Sequence, residues 1–306
     1  MSWSNPFILP GTFRRGNLHT HSDRSDGHLA PEAICSMYAT AGYDFLCLSD
    51  HFLDAFGYPL TDGTPFERDG FVTIRGAELH AGQVESGEHW HLLGVGLPAD
   101  FAHPTPEETG PALARRALDS GAFVVVNHPA WYNLGEDEIR SLGPIHAIEA
   151  WNATAAGLND RSDSWHIFDR LLLGGGRYTA CANDDAHFTD ERDDALLAWV
   201  WVKTEERTSP QIVDALKRGA YYSSTGPEIH GIVFDGADRL VVRCSPASWV
   251  FARGIGSAVV DAKGTDLTEV VLDVSSLDAP WCRVTIVDKA SRRAWSNPIE
   301  RSASAP

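Results

Sequence analysis

The chain has 306 residues, 43% hydrophobic and 22% charged, which suits one catalytic unit of about 220 residues with a small appendage. A net charge of −17 argues against a protein that grips a nucleic-acid backbone, which needs a basic face, and no apolar run is long enough to cross a bilayer. The N-terminus carries no basic-then-apolar leader pattern. The five scattered cysteines, with Cys35, Cys47 and Cys181 in apolar stretches, read as buried small hydrophobes, so a reducing cytoplasm is expected.

In chain order, short apolar runs alternate with helix-like segments over residues 1–227. Residues 31–42 read as a helix, with proline in the first turn and glycine at the stop. Residues 45–50 have a buried-strand pattern, and 72–79 and 91–97 are further strand candidates. A helix near 106–120 precedes strands at 123–127 and 145–151, and a helix near 164–173 leads to a strand at 178–182. A strand at 198–202 and a helix at 209–218 form the last unit. This alternation predicts α/β architecture with parallel strands and crossover helices, more naturally a barrel than an open sheet. No glycine-rich phosphate loop follows the first strand, which weakens a dinucleotide fold. After Gly226-Pro227 the pattern changes: 229–234, 240–244, 249–252, 270–274 and 282–287 are short, β-branched or aromatic, and separated by turn signals such as Asp235-Gly. That predicts a small antiparallel β-sandwich over 228–300, with residues 301–306 a frayed tail.

Many of the 13 histidines fall at predicted strand ends. In His19-Thr-His21 both imidazoles share one face of an extended segment, because side chains alternate with period two, so both can reach one cation. Asp26 follows in Ser25-Asp26-Gly27, able to fold back onto a second cation. Ser49-Asp50-His51 ends the next strand, and Gly76-Ala-Glu78-Leu-His80 ends the one after. Glu78 is suited to bridge two cations, since a carboxylate has two oxygens, whereas His80 reads more readily as a hydrogen-bonded structural residue. His91 and His128 stand in two further clusters, and Asp185-x-His187 again aims two groups the same way. Six such clusters at successive strand ends point to a polynuclear metal site.

The order of these motifs resembles the PHP (polymerase and histidinol phosphatase) family over about residues 15–226. The resemblance implies a distorted (β/α)7 barrel, two or three divalent metals of the Zn, Mn or Fe kind, and phosphate-ester hydrolysis. Carried over, His19, His21, Glu78 and Asp185 hold one metal, and Asp26, His51 and His187 a second. Glu78 and His128 lie near a third. Three-metal members place another histidine close to the end of the strand that reads here Leu93-Gly-Val-Gly96. His91 begins that strand instead, which leaves it either a ligand or a structural residue. Arg218-Gly-Ala-Tyr-Tyr-Ser-Ser-Thr-Gly-Pro227, with a β module ending in Arg293-Ala-Trp-Ser-Asn-Pro298, resembles the branch of PHP-like metallohydrolases that includes carbaryl hydrolases.

The expected reaction is hydrolysis of a phosphate mono- or diester of a small, anionic molecule by a hydroxide shared between cations. Asp185 and His187 are the candidate catalytic residues, and His187 or a metal-bound water protonates the leaving group. Arg140, Arg161 and Arg192 are the arginines placed to hold a dianion. The same metals acting on an ester, carbamate or amide need an apolar pocket, for which Trp131, Tyr132 and Trp151 are candidates. A third reading, a barrel without activity and a β module that binds a partner or polymer, is disfavoured by the complete set of ligand types. Nucleic acid and membrane are not expected partners, and oligomeric state is left open.

Overall fold

The structure is a computed structural model that describes residues 3–301. The tail expected over 301–306 therefore lies outside the described residues except for Arg301. The first strand, β1 (Thr12–Asn17), is one that the apolar pattern hid, because it carries two arginines. Arg15 lies flat between the rings of Tyr43 and Trp199, at 4.0 and 3.6 Å, so its charge sits on aromatic faces rather than breaking the strand. At Gly16 a Cβ would stand 2.2 Å from the Phe45 ring, so glycine is what lets β1 lie beside β2 (Phe45–Leu48).

Between them runs α1 (Pro31–Thr40). Then come β3 (His51–Phe52), β4 (Val72–Leu79), β5 (Leu92–Val95), α2 (Gly110–Asp119) and β6 (Phe123–Val126). Two short helices, α3 (Pro129–Tyr132) and α4 (Glu136–Ser141), lead to β7 (Ala147–Asn152). Next are α5 (Ala153–Leu158), α6 (Trp165–Leu173) and β8 (Thr179–Asn183). The series ends with β9 (Trp199–Thr204), α7 (Ser209–Lys217) and β10 (Tyr221–Ser224).

The strands pair in the order β10-β9-β1-β2-β4-β5-β6-β7-β8. Pairing is parallel for β1–β2, β2–β4, β6–β7 and β7–β8, as expected. β9 pairs antiparallel with β1 and β10, against the expectation of a uniformly parallel set. β5 is likewise antiparallel to both of its neighbours. The cause lies in residues 80–91: they contain no helix to carry the chain back across the sheet, and the chain reverses instead through a turn with Gln83 bridged to His89.

The ladder of named strands does not return from β8 to β1. The seam is joined by the residues just beyond them: His21 N–H donates to Ala186 O at 2.9 Å and Asp185 N–H to His19 O at 3.0 Å. At the other end, Tyr221 Oη donates to Thr179 Oγ1 at 2.8 Å and Ser223 Oγ to Ala180 O at 3.2 Å.

The C-terminal strands are β11 (Ile229–Phe234), β12 (Arg239–Arg253), β13 (Val259–Asp273), β14 (Trp281–Val287), β15 (Arg293–Ser296) and β16 (Ile299–Glu300). All of their pairings are antiparallel. They are continuous with the first sheet through β10–β15. The two strands expected at 240–244 and 249–252 are one long strand, whose register with β13 shifts between Arg243 and Ala247. Pro246 sits in that irregular stretch, where a missing N–H leaves no ladder bond unmade. Much of β13 escapes an apolar reading because it pairs only with β12 and is largely exposed. Asn297 ties the two parts together: its side chain accepts from Ala180 N and donates to Tyr221 O. No helix among the described residues is long and apolar enough to cross a membrane.

Candidate metal centre

All nine nominated residues meet at one end of the sheet. The chain leaves β1 into His19 and His21, both fully buried. Next comes a loop that brings Asp26 back, and Gly27 allows it, since a Cβ there would stand 2.4 Å from His21 O. Asp50 holds this loop by accepting from Ser22 N, Ser22 Oγ and Ser25 Oγ at 2.6–3.0 Å, a structural task distinct from that of its neighbour His51. β4 ends in Glu78, which is 1% exposed. His128 and Asp185 both adopt positive φ, 27° and 57°, a conformation that side chains other than glycine rarely take. Each is held there: Glu149 accepts from His128 N at 2.9 Å, and Asp185 N–H donates to His19 O.

Around Glu78 and Asp185, His19 Nε2 lies 3.1 Å from Asp185 Oδ1 and 3.5 Å from Glu78 Oε1. His21 Nε2 lies 2.9 Å from Asp185 Oδ1 and 3.7 Å from Glu78 Oε2. A second group gathers on Asp26, whose Oδ2 is 3.5 Å from both His51 Nε2 and His187 Nε2. A third gathers on Glu78 Oε1, with His91 Nδ1 at 2.9 Å and His128 Nε2 at 3.3 Å. Two ligand atoms held about 2.0–2.1 Å from one ion at roughly right or tetrahedral angles stand about 2.9–3.4 Å apart; four of these separations fall in that range and the other four are 3.5–3.7 Å.

The hydrogen-bond pattern supports the same donors. His19 Nδ1 is 2.9 Å from Glu149 Oε1 and must donate to it, so the neutral ring turns the lone pair of Nε2 toward two carboxylates. Among the described residues, that Nε2 is buried with no hydrogen-bond partner, as are His21 Nδ1 and His128 Nδ1. A buried lone pair facing anions is repulsive unless a cation or a proton stands between them. Without an ion, protons take that role. Burial works against protonating His19, but Asp185, Glu149 and Glu78 outweigh it and raise its pKa well above the usual imidazole value. Burial also opposes a charge on His51, yet Glu78 and Asp26 lift its pKa to about 10. His21 goes the other way, to about 4, because burial and the neighbouring His51 charge both disfavour a second proton. Glu78 and Asp185 are held well below the ordinary carboxylate range, the surrounding imidazoles outweighing burial.

The structure brings His91 to the candidate centre. Because β5 is antiparallel to β4, the start of β5 lies beside the end of β4, and His91 stands at Glu78 instead of at the far end. His80 is also closer to the centre than expected, with Nε2 2.9 Å from His51 Nδ1. Of the three arginines, only Arg192 lines the cavity over the centre. Arg140 bonds Leu171 O and Glu136, and Arg161 bonds Trp131 O. Trp131 and Tyr132 line that cavity, whereas Trp151 packs 5.9 Å from Trp295 beside a separate one.

Glu149 was missed. Its two oxygens accept from His19 Nδ1, Asn183 Nδ2, His128 N and Asn152 Nδ2, each at 2.9 Å. The signal was a single carboxylate in the otherwise apolar run 147–151, since a fully buried acid needs partners. Tyr132 was read only as a wall, but its hydroxyl is 2.9 Å from His91 Nε2, the nitrogen opposite the one facing Glu78.

Comparison with solved structures gives a like fold in a two-domain protein from Bacteroides vulgatus that contains a predicted PHP-like metal-dependent phosphoesterase. The TM-score is 0.53 at 14% identity, over 98% of this chain and 100% of that one. The likeness is one of fold. An amidohydrolase from Chromobacterium violaceum, solved with bound sulfate and no metal, matches with a TM-score of 0.44 at 16% identity, over 56% of this chain and 87% of that one. No protein-family model and no curated protein matches the sequence.

Proposed function

We propose that this chain is a metal-dependent hydrolase of the PHP type that cleaves phosphate mono- or diesters of small anionic molecules. The observation that carries the reading is the buried lone pair of His19 Nε2, unpartnered between Asp185 and Glu78. His19, His21, Glu78 and Asp185 would hold one divalent ion, Asp26, His51 and His187 a second, and Glu78, His91 and His128 a third. Nitrogen and carboxylate donors without cysteine suit Zn, Mn or Fe. When bound, such ions polarise the ester and lower the pKa of an attacking water from 15.7 towards about 7.

The protein's own groups set the rest. His187 Nδ1 donates to Asp185 O at 2.7 Å, which turns Nε2 toward Asp26 and favours a ligand over a proton donor. Tyr132 is the better-placed acid: its hydroxyl reaches the cavity, and burial raises its pKa, so it stays protonated. Arg192 supplies the wall's positive charge for a non-bridging oxygen. The cavity, about 220 Å³, has room for the reacting group and a small part of its leaving group.

A second reading keeps the metals and changes the electrophile to an ester, carbamate or amide. Trp131, Tyr132 and Leu158 in the same wall favour it, as does the resemblance of residues 218–227 to the branch that includes carbaryl hydrolases. We read the seven strands β1, β2 and β4–β8 as the distorted barrel that carries the centre (residues 1–227), with 228–300 as a module upon it. Five buried, unpaired cysteines support a cytoplasmic setting. Metal-loaded protein offered nitrophenyl phosphate, bis-nitrophenyl phosphate, nucleotides, aryl acetates and carbamates separates the readings. Turnover of the phosphates is expected, and turnover confined to the acyl substrates would select the second reading.

A further inference from the structure

The sheet has a second concentration of chemistry at the end away from the metal centre, where β7 and β8 begin. A cavity of about 300 Å³ there is walled by the side chains of His146, Arg177, Lys217 and Arg218, with Trp3 alongside. Four basic groups at one small cavity are unexpected in a chain of net charge −17, and among the described residues no carboxylate lines it.

His146 shows that the cavity wants an acceptor. Val124 N–H donates to its Nδ1 over 3.1 Å, so the neutral ring keeps its proton on Nε2. The residue is only 9% exposed, and among the described residues that Nε2–H has no hydrogen-bond partner. Burial and the nearby Lys217 charge hold its pKa down to about 4, so near neutrality it is a neutral donor with a fixed tautomer. Lys217 Nζ bonds only Gly121 O, at 3.0 Å, which leaves its charge without a counter-ion among the described residues.

Arg177 and Arg218 do have partners, Glu300 and Asp214, but all four side chains are about half exposed. Pairs of that kind contribute about 0–1 kcal/mol, so turning either guanidinium toward an anion costs little. Trp3 holds the approach: its indole N–H donates to Tyr178 O at 3.0 Å, and the Arg177 guanidinium lies 4.7 Å from its ring.

We infer that this cavity binds a small inorganic oxyanion of the phosphate or sulfate type, with His146 Nε2–H, Lys217 and Arg177 as its donors. The site is independent of the reaction at the metal centre and lies at the other end of β7 and β8, since Thr179 begins the strand whose far end leads to Asp185. Crystals of the metal-loaded protein soaked in selenate should show an anomalous peak within hydrogen-bonding distance of His146 Nε2 and Lys217 Nζ. Calorimetric titration with inorganic phosphate, at ionic strength fixed with chloride, should show, besides binding at the metal centre, an event that weakens at least about tenfold in both Lys217→Met and Arg177→Met. Turnover at saturating substrate should stay at the parent level in both variants. No selenate density in this cavity, or two folded variants that titrate like the parent, would overturn the assignment.

Discussion

Glu149→Gln should uncouple metal binding from a change in any ligand. Each Glu149 oxygen accepts two N–H groups: Oε1 from His19 and Asn183, Oε2 from His128 N and Asn152. A glutamine must place its own N–H₂ against one of these pairs, whichever way it lies. Neither asparagine can flip to help, because Asn183 Oδ1 accepts from Leu18 N and Asn152 Oδ1 from Ala155 N. Two buried donors are left unsatisfied at about 1–3 kcal/mol each, so metal-free protein should lose about 2–6 kcal/mol of stability. In either orientation His19 loses the carboxylate charge opposite its Nδ1–H, which raises the ring's basicity as a ligand, and this should weaken metal binding about 10–100-fold. Urea unfolding of the metal-free protein gives the first number, and competition against a chromophoric chelator gives the second. If the variant bound metal within about twofold of the parent, the Glu149 charge would not be raising the basicity of His19 and that reading would fail.

Arg192→Ala should raise KM for a phosphomonoester about 10–100-fold, the loss of one charge-assisted contact, and leave kcat/KM for a neutral ester near the parent value. Equal losses on both substrates would remove Arg192 from phosphate recognition. Metal loading should release protons near pH 7, because His19, His51 and His187 have raised pKa values in the metal-free site and must give up a proton to bind an ion. Apparent affinity should therefore rise with pH towards about 10, where His51 titrates, and calorimetry in buffers of different ionisation heat reads the proton count. Gly16→Ala should destabilise the fold by about 1–3 kcal/mol, since its Cβ meets the Phe45 ring in the core, and urea unfolding measures it.

The candidate ligands were legible in the sequence because two of their pairs, His19-x-His21 and Asp185-x-His187, use the period of an extended chain. Others stand where strands stop. Glu149, Asn152 and Asn183 were not legible, because what they do is set by partners on other strands and loops, such as His19, 130 residues from Glu149, and Asp185, 33 residues from Asn152. Two of the strands that escaped wholly or in part share a cause: β1 and β13 hold polar side chains on faces that the apolar pattern treats as loop. Arg15 hides its charge on two rings, and β13 lies mostly in solvent. Strand direction was the costliest gap. Reading β5 as parallel put His91 at the wrong end, and only the helix-free link 80–91 held the clue.

The seam of the sheet and the candidate metal centre are made by the same residues. β1 and β8 share no ladder, and what joins them at the upper end is two main-chain bonds, between His19 and Asp185 and between His21 and Ala186. The side chains of His19, His21 and Asp185 face one another across that join, with Glu78 of β4 behind them. An ion held there would add a tie between β1, β4 and the end of β8 where backbone pairing is limited to those two bonds. Left without a cation or protons, the same atoms would set lone pairs against carboxylates and push the seam apart. The positive φ of Asp185 fits this picture: the chain turns sharply after β8 so that one residue can both donate its N–H to His19 and aim its carboxylate at the histidines.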